Sequence, residues 1–218
     1  MSYLKTPAGQ LLADGVSKRI DATYLLAPCD VDAQPGCCLV LRGPNGSGKS
    51  TLLRLLAGRL TPSSGTITLD GAPVDERQPA IRRAVASLIG QPAAYRELTV
   101  RDHLVLIDST WAGDAPSAEE RALAMLTTLQ IDHLADRFPA ELSSGQQQLF
   151  HLSLVLFRPG QVLLLDEPEQ RLDTAKRELV AGLLTERVEA GATLVVACHD
   201  PAMTEQLADA VLDLDVVW

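Results

Sequence analysis

The sequence "GPNGSGKST", residues 43 to 51, combines glycines, a lysine and hydroxyl side chains at a spacing that suits phosphate binding. Glycines let the backbone wrap closely around an anion, so that N–H groups and the positive end of a following helix face it. The lysine would reach the β- and γ-phosphates of a nucleotide, and the next hydroxyl would ligate Mg²⁺. The residues assigned to phosphate are Gly43, Pro44, Asn45, Gly46, Ser47, Gly48, Lys49, Ser50 and Thr51.

This stretch fits the pattern G-x-x-x-x-G-K-[ST] and lies between a predicted strand and a predicted helix, which is the context that the pattern requires. The alternative is a glycine-rich turn between strand and helix that contains a lysine by chance. The flanking elements favour the phosphate-binding loop.

Other polar residues follow the ends of predicted buried strands. Gln91 follows "VASLIG", Asp166 and Glu167 end "VLLLDE", and His199 ends "TLVVACH". Ligands of open parallel sheets bind outside the carboxyl ends of the strands, so these residues are expected to line one edge with the phosphate-binding loop. Each has another explanation by itself, for instance a loop cap, a surface amide or a helix cap. Together they predict one site.

The chemistry of these side chains suggests roles in phosphoryl transfer. Asp166 is positioned like the acidic residue that holds Mg²⁺ in phosphate-loop enzymes, with Ser50 and Gln91 as further candidate ligands. Glu167 could polarise an attacking water, and His199 could contact the γ-phosphate or orient Glu167. The set lacks an acceptor pocket, so the sequence predicts ATP hydrolysis with ATP and Mg²⁺, and not kinase chemistry.

Alternating apolar runs and helical patterns provide the elements that would position these residues. Near-continuous apolar runs predict buried parallel strands at 37–43, 85–90, 162–167, 193–199 and 210–217. Helices are predicted at 49–59, 120–130, 145–157, 173–190 and 201–208. Residues 64–74 suggest an antiparallel hairpin with "DG" at the turn. The stretch 92–145 is rich in loop residues, with a helix start in 113–120, and suggests an inserted, mostly helical lobe.

Composition narrows the class of protein. A chain of 218 residues with 46% hydrophobic residues suits one compact domain. The net charge of -9 argues against a nucleic-acid partner, which would require clustered Lys and Arg. Since no apolar run approaches the roughly 18 residues of a membrane span and the start lacks a secretory signal, a cytoplasmic location is expected.

A second small polar cluster, "LSSGQ" at residues 142 to 146, begins a predicted helix. The hydroxyls and N–H groups of Ser143, Ser144 and Gly145, with the positive helix end, could form an anion site. The alternative is an ordinary N-cap by Ser143 or Ser144. A complete phosphate-binding loop already exists at 43–51, so a fit of this cluster to the same nucleotide would require the two lobes to fold onto each other across the open edge of the sheet.

The ordered set of motifs resembles the ATP-binding subunit of an ABC transporter over nearly the whole chain. In that comparison "GPNGSGKST" is the phosphate loop, "VLLLDEP" the second nucleotide motif and "LSSGQ" the family signature. Gln91 matches the Q-loop glutamine, Asp173 the D-loop aspartate and His199 the switch histidine. The resemblance implies an α/β P-loop NTPase (RecA-like) core with a mainly parallel sheet, an N-terminal antiparallel β subdomain and an inserted α-helical subdomain. It assigns residues 1–90 and 158–218 to the core and 91–157 to the helical subdomain of a single domain.

The resemblance also implies a dimer in which two cassettes face head to tail, each signature closing over the partner's ATP. The residues expected at that second nucleotide are Ser143, Ser144, Gly145, Gln146 and Asp173. Where the family usually has an aromatic that stacks on adenine, this chain has Ile20, with Tyr24 as a possible substitute.

The expected partners are a second ATPase subunit and separate integral membrane subunits, since no membrane helices are fused to the chain. This implies a peripheral position on the inner face of the cell membrane. Only 19 residues follow His199, which leads us to expect an exporter. The alternative is a soluble ATPase of the same family that drives protein assembly or regulation. A small-molecule kinase is disfavoured because the signature has no role there.

Overall fold

The computed structural model describes residues 9–111 and 117–216. Internal contacts divide these residues into two compact units. The first unit contains the described residues up to Gly90, Gly160–Pro168 and those from Ala181 onward. The second contains the described residues of Gln91–Pro159 together with Glu169–Val180. The stretch 169–180 thus groups with the helical unit, whereas the family resemblance assigns it to the core.

An antiparallel sheet occupies part of the first unit. Its strands are β1 (Leu11–Ile20), β2 (Thr23–Ala33), β4 (Ser64–Leu69) and β5 (Ala72–Pro73), in the order β2-β1-β4-β5. The predicted hairpin is confirmed, because Asp70 and Gly71 form its turn with φ of 51° and 78°, the left-handed values that short hairpin turns require. The sequence did not locate β1 and β2, whose register shifts interrupt the alternation of apolar and polar residues.

A five-stranded parallel sheet forms the rest of the core of the first unit. Its strands are β3 (Cys38–Arg42), β6 (Val85–Leu88), β7 (Val162–Asp166), β8 (Thr193–Ala197) and β9 (Ala210–Asp213), in the order β6-β7-β8-β3-β9. The predicted strands are confirmed, each shorter by one to four residues. The prediction of 210–217 extends too far, because the strand ends at Asp213 and residue 217 lies outside the described part of the chain.

Helices of the first unit are α1 (Lys49–Leu56), α2 (Pro79–Ala84) and α7 (Pro201–Leu207). Leu52, Leu53, Leu55 and Leu56 of α1 are all buried in one hydrophobic cluster with residues from both sheets. This packing fixes α1, and with it the loop that precedes it, against β7 and β8 of the parallel sheet and β1 and β2 of the antiparallel sheet. The helix α6 (Thr174–Glu189) begins in the second unit and ends in the first.

The second unit contains α3 (Val100–Trp111), α4 (Ala118–Thr128), α5 (Ser144–Leu156) and two short 3-10 helices, Asp132–Leu134 and Pro139–Glu141. The helix α3 was not located from the sequence, which indicates for this stretch only a mostly helical lobe that is rich in loop residues. Its signal was present, since Thr99 and Asp102 cap each other's backbone N–H groups at the helix start. None of the helices in the described part of the chain combines the length and the hydropathy that a bilayer crossing requires.

Candidate active site

The loop from Gly43 to Gly48 joins the end of β3 to the start of α1. Gly43 and Gly48 have φ of 145° and 98°, values that side chains disfavour. A Cβ on Gly43 would lie 2.2 Å from the carbonyl oxygen of Leu214, and one on Gly48 would lie 2.7 Å from that of Leu25. These two glycines are therefore required by the packing of the loop against its own unit as well as by its curvature.

Lys49 lies inside the curve of this loop. Its side chain is buried, and Nζ donates hydrogen bonds to the carbonyl oxygens of Gly43, at 2.6 Å, and Pro44, at 3.1 Å. The Oγ of Ser47 is also buried, and it has no hydrogen-bond partner among the described residues. The first turn of α1 has no acidic residue and no side-chain cap, so its N–H groups and the ammonium group suit a phosphate group.

Glu167 and His199 form the acid–base part of the site. Glu167 directly follows β7, and its φ of 50° is unusual for a residue other than glycine. Its backbone N–H donates to the carbonyl oxygen of Ala197, the last residue of β8, at 2.9 Å. His199 Nε2 lies 3.2 Å from Glu167 Oε1. The two strands thus bring together the carboxylate and the imidazole that the sequence predicts at this edge.

The parallel sheet aligns these groups with the phosphate-binding loop. Ala197 is in register with Asp166 on one side and with Leu41 on the other, so the carboxyl ends of β7, β8 and β3 meet at one edge. A cavity of about 470 Å³ at this edge is lined by Gly43 and His199, among other residues. His199 is not the cap of α7, because Asp200 Oδ1 accepts the N–H of Met203 at 2.9 Å.

The donor set of this edge fits a magnesium ion bound with nucleotide. Asp166 ends β7 and Ser50 lies in the first turn of α1, and Mg²⁺ prefers carboxylate and hydroxyl oxygens together with phosphate oxygens. Both residues belong to the first unit. Gln91, the third predicted ligand, is an exposed residue of the second unit.

The signature residues begin α5 with a reciprocal cap. Ser143 Oγ accepts the N–H of Gln146 at 3.4 Å, and Gln146 Oε1 accepts the N–H of Ser143 at 2.9 Å. The simple N-cap interpretation therefore accounts for Ser143 and Gln146. It does not account for Ser144, which is exposed, or for Gly145, where a Cβ would lie 2.8 Å from the carbonyl oxygen of Arg171.

Two further predicted residues lie at the ends of elements. Asp173 caps α6, since its Oδ1 accepts the N–H of Lys176 at 2.8 Å. Ile20 ends β1 and is 55% exposed. Tyr24 pairs with Arg19 across the hairpin, and the Arg19 guanidinium lies 6.0 Å from the centre of its ring. Both Ile20 and Tyr24 are thus accessible for contact with a base.

Long-range contacts support the start of the phosphate-binding loop, and sequence reasoning missed them. Arg42 donates two hydrogen bonds to Asp213, at 3.0 and 3.1 Å, and these bonds raise the pKa of the Arg42 guanidinium. Leu214 N–H donates to the carbonyl oxygen of Arg42 at 2.8 Å. Arg42 and Asp213 are 171 residues apart in the chain. No local pattern could have identified them.

Comparison with known proteins gives the family. The model of the ABC transporter family matches residues 26–170. The chain is 36% identical over 202 residues to the sulfate/thiosulfate import ATP-binding protein CysA of Salmonella typhi. This match covers 90% of this chain and 55% of that protein. It is 34% identical over 209 residues to the xylose/arabinose import ATP-binding protein XacJ of Haloferax volcanii. This match covers 95% of this chain and 54% of that protein. The chain thus spans about half the length of these curated relatives.

Solved structures share the fold. An ATP-binding subunit of an ABC transporter matches with a TM-score of 0.84 and 25% identity, over 94% of this chain and 85% of that one. The dimeric bacterial ABC transporter cassette MJ0796 matches with a TM-score of 0.85 and 24% identity, over 94% of each chain. The expectation of an exporter finds no support among the curated relatives, which are named as import proteins. By its motifs, its fold and these matches, the chain belongs to the ABC transporter family, as one of its ATPase cassettes.

Proposed function

We propose that this chain binds ATP with Mg²⁺ at the loop of residues 43–51 and hydrolyses it to power import through separate membrane subunits. The observation that carries the proposal is the pair of Glu167 and His199, 3.2 Å apart at the sheet edge that also carries the phosphate-binding loop. A phosphate-binding loop alone suits many nucleotide-binding proteins. A carboxylate and an imidazole beside it supply the means to activate water.

Each residue of the edge has a distinct task in this proposal. Lys49 and the first N–H groups of α1 bind the β- and γ-phosphates. Asp166 and Ser50 hold Mg²⁺, which when bound neutralises charge on the phosphate oxygens. Glu167 accepts a proton from the attacking water, and His199 orients the carboxylate through their contact. Gln91 completes the set by contact with Mg²⁺ or the water.

The signature completes the site from a second copy or a second cassette. Ser144 and Gly145 begin the 13-residue helix α5, whose first turn contains no acidic residue. Because Ser143 and Gln146 already cap each other, the exposed Ser144 hydroxyl remains available for an anion outside the helix. With Asp173, these residues would close over the ATP of the facing cassette, so that binding of ATP joins the two cassettes and hydrolysis releases them.

The names of the relatives support the proposed direction and partners of transport. Both relatives described above are import ATP-binding proteins by name, which favours an importer in which this chain docks on integral membrane subunits from the inner face of the membrane. The net charge of -9 gives no basis for a nucleic-acid partner. Affinity capture from native membranes should recover integral membrane proteins with this chain. Recovery with soluble proteins only would favour the alternative, an ATPase for protein assembly or regulation.

Complementation between two inactive variants tests the composite site. Lys49→Ala removes the phosphate-binding ammonium, and Ser143→Arg blocks the signature, so each variant alone should be inactive. A mixed dimer has one intact site, made of the Ser143→Arg chain's loop and the Lys49→Ala chain's signature. Random mixing should restore roughly a quarter of the wild-type ATPase rate, since about half of the dimers would carry one such site. Normal hydrolysis by Ser143→Arg alone would exclude the signature from the site.

A further inference from the structure

His103, on the first turn of α3, is buried and uses both nitrogens of its ring. Nε2 accepts the backbone N–H of Tyr95 at 2.9 Å. Because Nε2 accepts, the ring proton of the neutral imidazole is on Nδ1, which donates to the carbonyl oxygen of Thr99 at 2.7 Å. The ring therefore joins the loop before α3 to the start of the helix itself.

The hydrogen bond that the Tyr95 N–H donates to His103 Nε2 fixes the backbone of Tyr95. The carbonyl oxygen of Tyr95 accepts the N–H of Leu98 at 3.3 Å, so both backbone polar groups of this residue are bonded within the loop and α3. The Tyr95 side chain is 61% exposed, so side-chain burial contributes little to its position. The position of Tyr95 thus depends mainly on these backbone hydrogen bonds.

The ring of His103 is itself held in place. Its edge contacts Phe150, a fully buried residue of α5, with ring centres 5.2 Å apart and planes at 78°. Thr99, whose carbonyl accepts from Nδ1, is fixed in turn by the reciprocal cap that its N–H and hydroxyl form with Asp102. Hence the acceptor that His103 offers to Tyr95 has a defined position relative to α3 and α5.

We infer that His103 is a positioning residue for Gln91, an inference that rests on the proposed role of Gln91 in hydrolysis. Gln91 precedes the anchored Tyr95 by four residues. The intervening Pro92 has a fixed φ and restricts the residue before it to extended backbone, so a fixed Tyr95 limits where the Gln91 amide can reach. Loss of the hydrogen bond between the Tyr95 N–H and His103 Nε2 would let the loop from Gln91 to Leu98 sample other positions.

Two conservative variants separate the two bonds of His103. The amide of glutamine extends as far as Nε2, so His103→Gln retains an acceptor for the Tyr95 N–H. The amide of asparagine reaches only the position of Nδ1, so His103→Asn retains the bond to Thr99 and loses the bond to Tyr95. His133→Asn, an exposed position of the same unit, is the matched control.

The test measures two quantities on the full chain, namely amide hydrogen exchange at Tyr95 and the steady-state ATPase constants. For His103→Asn we expect exchange at Tyr95 to be roughly fivefold to tenfold faster, which corresponds to the loss of one hydrogen bond. We expect kcat to fall by roughly 10- to 100-fold through misplacement of Gln91, with KM for ATP unchanged because Lys49 is untouched. His103→Gln and His133→Asn should resemble the wild type in both.

Separate outcomes overturn the inference and the proposed function. If the wild-type chain hydrolyses no ATP under any condition, the proposed function fails, and exchange at Tyr95 still tests the bond from His103. If His103→Asn leaves exchange at Tyr95 unchanged, His103 does not fix the loop. Faster exchange with an unchanged kcat would show that the bond exists without positioning Gln91. Equal losses of kcat in His103→Gln and His103→Asn would assign His103 to packing against Phe150.

Discussion

His199 Nε2 lies 3.2 Å from Glu167 Oε1, and the two residues follow neighbouring strands of one parallel sheet. The hydrogen bond from the Glu167 N–H to the carbonyl oxygen of Ala197 fixes the chain at the same point. The spacing of β7 and β8 therefore places the backbones of the two residues close to each other. Because Glu167 and His199 follow their strands by only one and two residues, the sheet holds their backbones near each other, which makes this pair suitable for orienting an attacking water.

Replacement of the proposed base should separate ATP binding from hydrolysis. Glu167→Gln keeps the shape of the side chain and removes its capacity to accept a proton, so phosphate release should fall by roughly 10²- to 10⁴-fold. Calorimetric titration should find ATP affinity close to that of the wild type. Glu178→Gln, the same change at an exposed position of α6, should have no effect. Turnover at the wild-type rate in Glu167→Gln would remove this residue from catalysis.

Gly43→Ala should destabilise the protein and weaken ATP binding together. Its Cβ would lie 2.2 Å from the carbonyl oxygen of Leu214 and 2.6 Å from Ser47 Oγ, so the loop and the segment after β9 must move apart. The expected loss in the free energy of unfolding is about 1–3 kcal/mol, as for other overpacked sites. Gly182→Ala, which meets no atom within 4 Å, should be neutral or stabilising by up to about 1 kcal/mol. Equal urea midpoints for Gly43→Ala and the wild type would contradict the packing argument.

An aromatic at position 20 should improve nucleotide binding. Ile20 is 55% exposed at the end of β1, where the family usually has an aromatic residue. Stacking of a base on an aromatic ring contributes about 1–3 kcal/mol, a value taken from nucleic-acid complexes, so Ile20→Tyr should lower the Kd for ATP. Titration of Ile20→Tyr and Tyr24→Ala distinguishes the alternatives. If Tyr24→Ala binds ATP more weakly and Ile20→Tyr binds it with unchanged Kd, Tyr24 is the residue that contacts adenine.

Stability should fall in mildly acidic solution because of His151 on α5. Burial, and to a lesser extent the positive charge of Arg171, lowers the pKa of His151 from its ordinary value of 6.5. The unfolded chain binds a proton at the ordinary pKa and the folded chain at a lower pH, so the free energy of unfolding decreases as pH falls below 6.5. Denaturant unfolding at pH 7.5 and 5.5 should show a smaller decrease for His151→Gln than for the wild type. The exposed His133→Gln should retain the full decrease.

Features encoded in short local patterns could be predicted from the sequence. The five parallel strands are continuous apolar runs, and the loop of residues 43–51 is a contiguous motif, so the class of fold and the edge of the sheet were predicted. Register shifts in β1 disguise its alternation, and the start of α3 requires recognition of the pair Thr99 and Asp102. Contacts such as those of Asp213 with Arg42 and of His103 with Tyr95 depend on tertiary folding, so no local pattern specifies them.

The strand order has a consequence for synthesis of the chain on the ribosome. β3 carries the phosphate-binding loop, yet its two neighbours, β8 and β9, are formed by residues 193–197 and 210–213. A nascent chain that has not yet reached residue 193 exposes both edges of β3. Unpaired strand edges of this kind are prone to aggregation. Leu214, which contacts Gly43, is translated later still. Nucleotide therefore cannot stabilise the emerging chain through a finished site until translation passes residue 214.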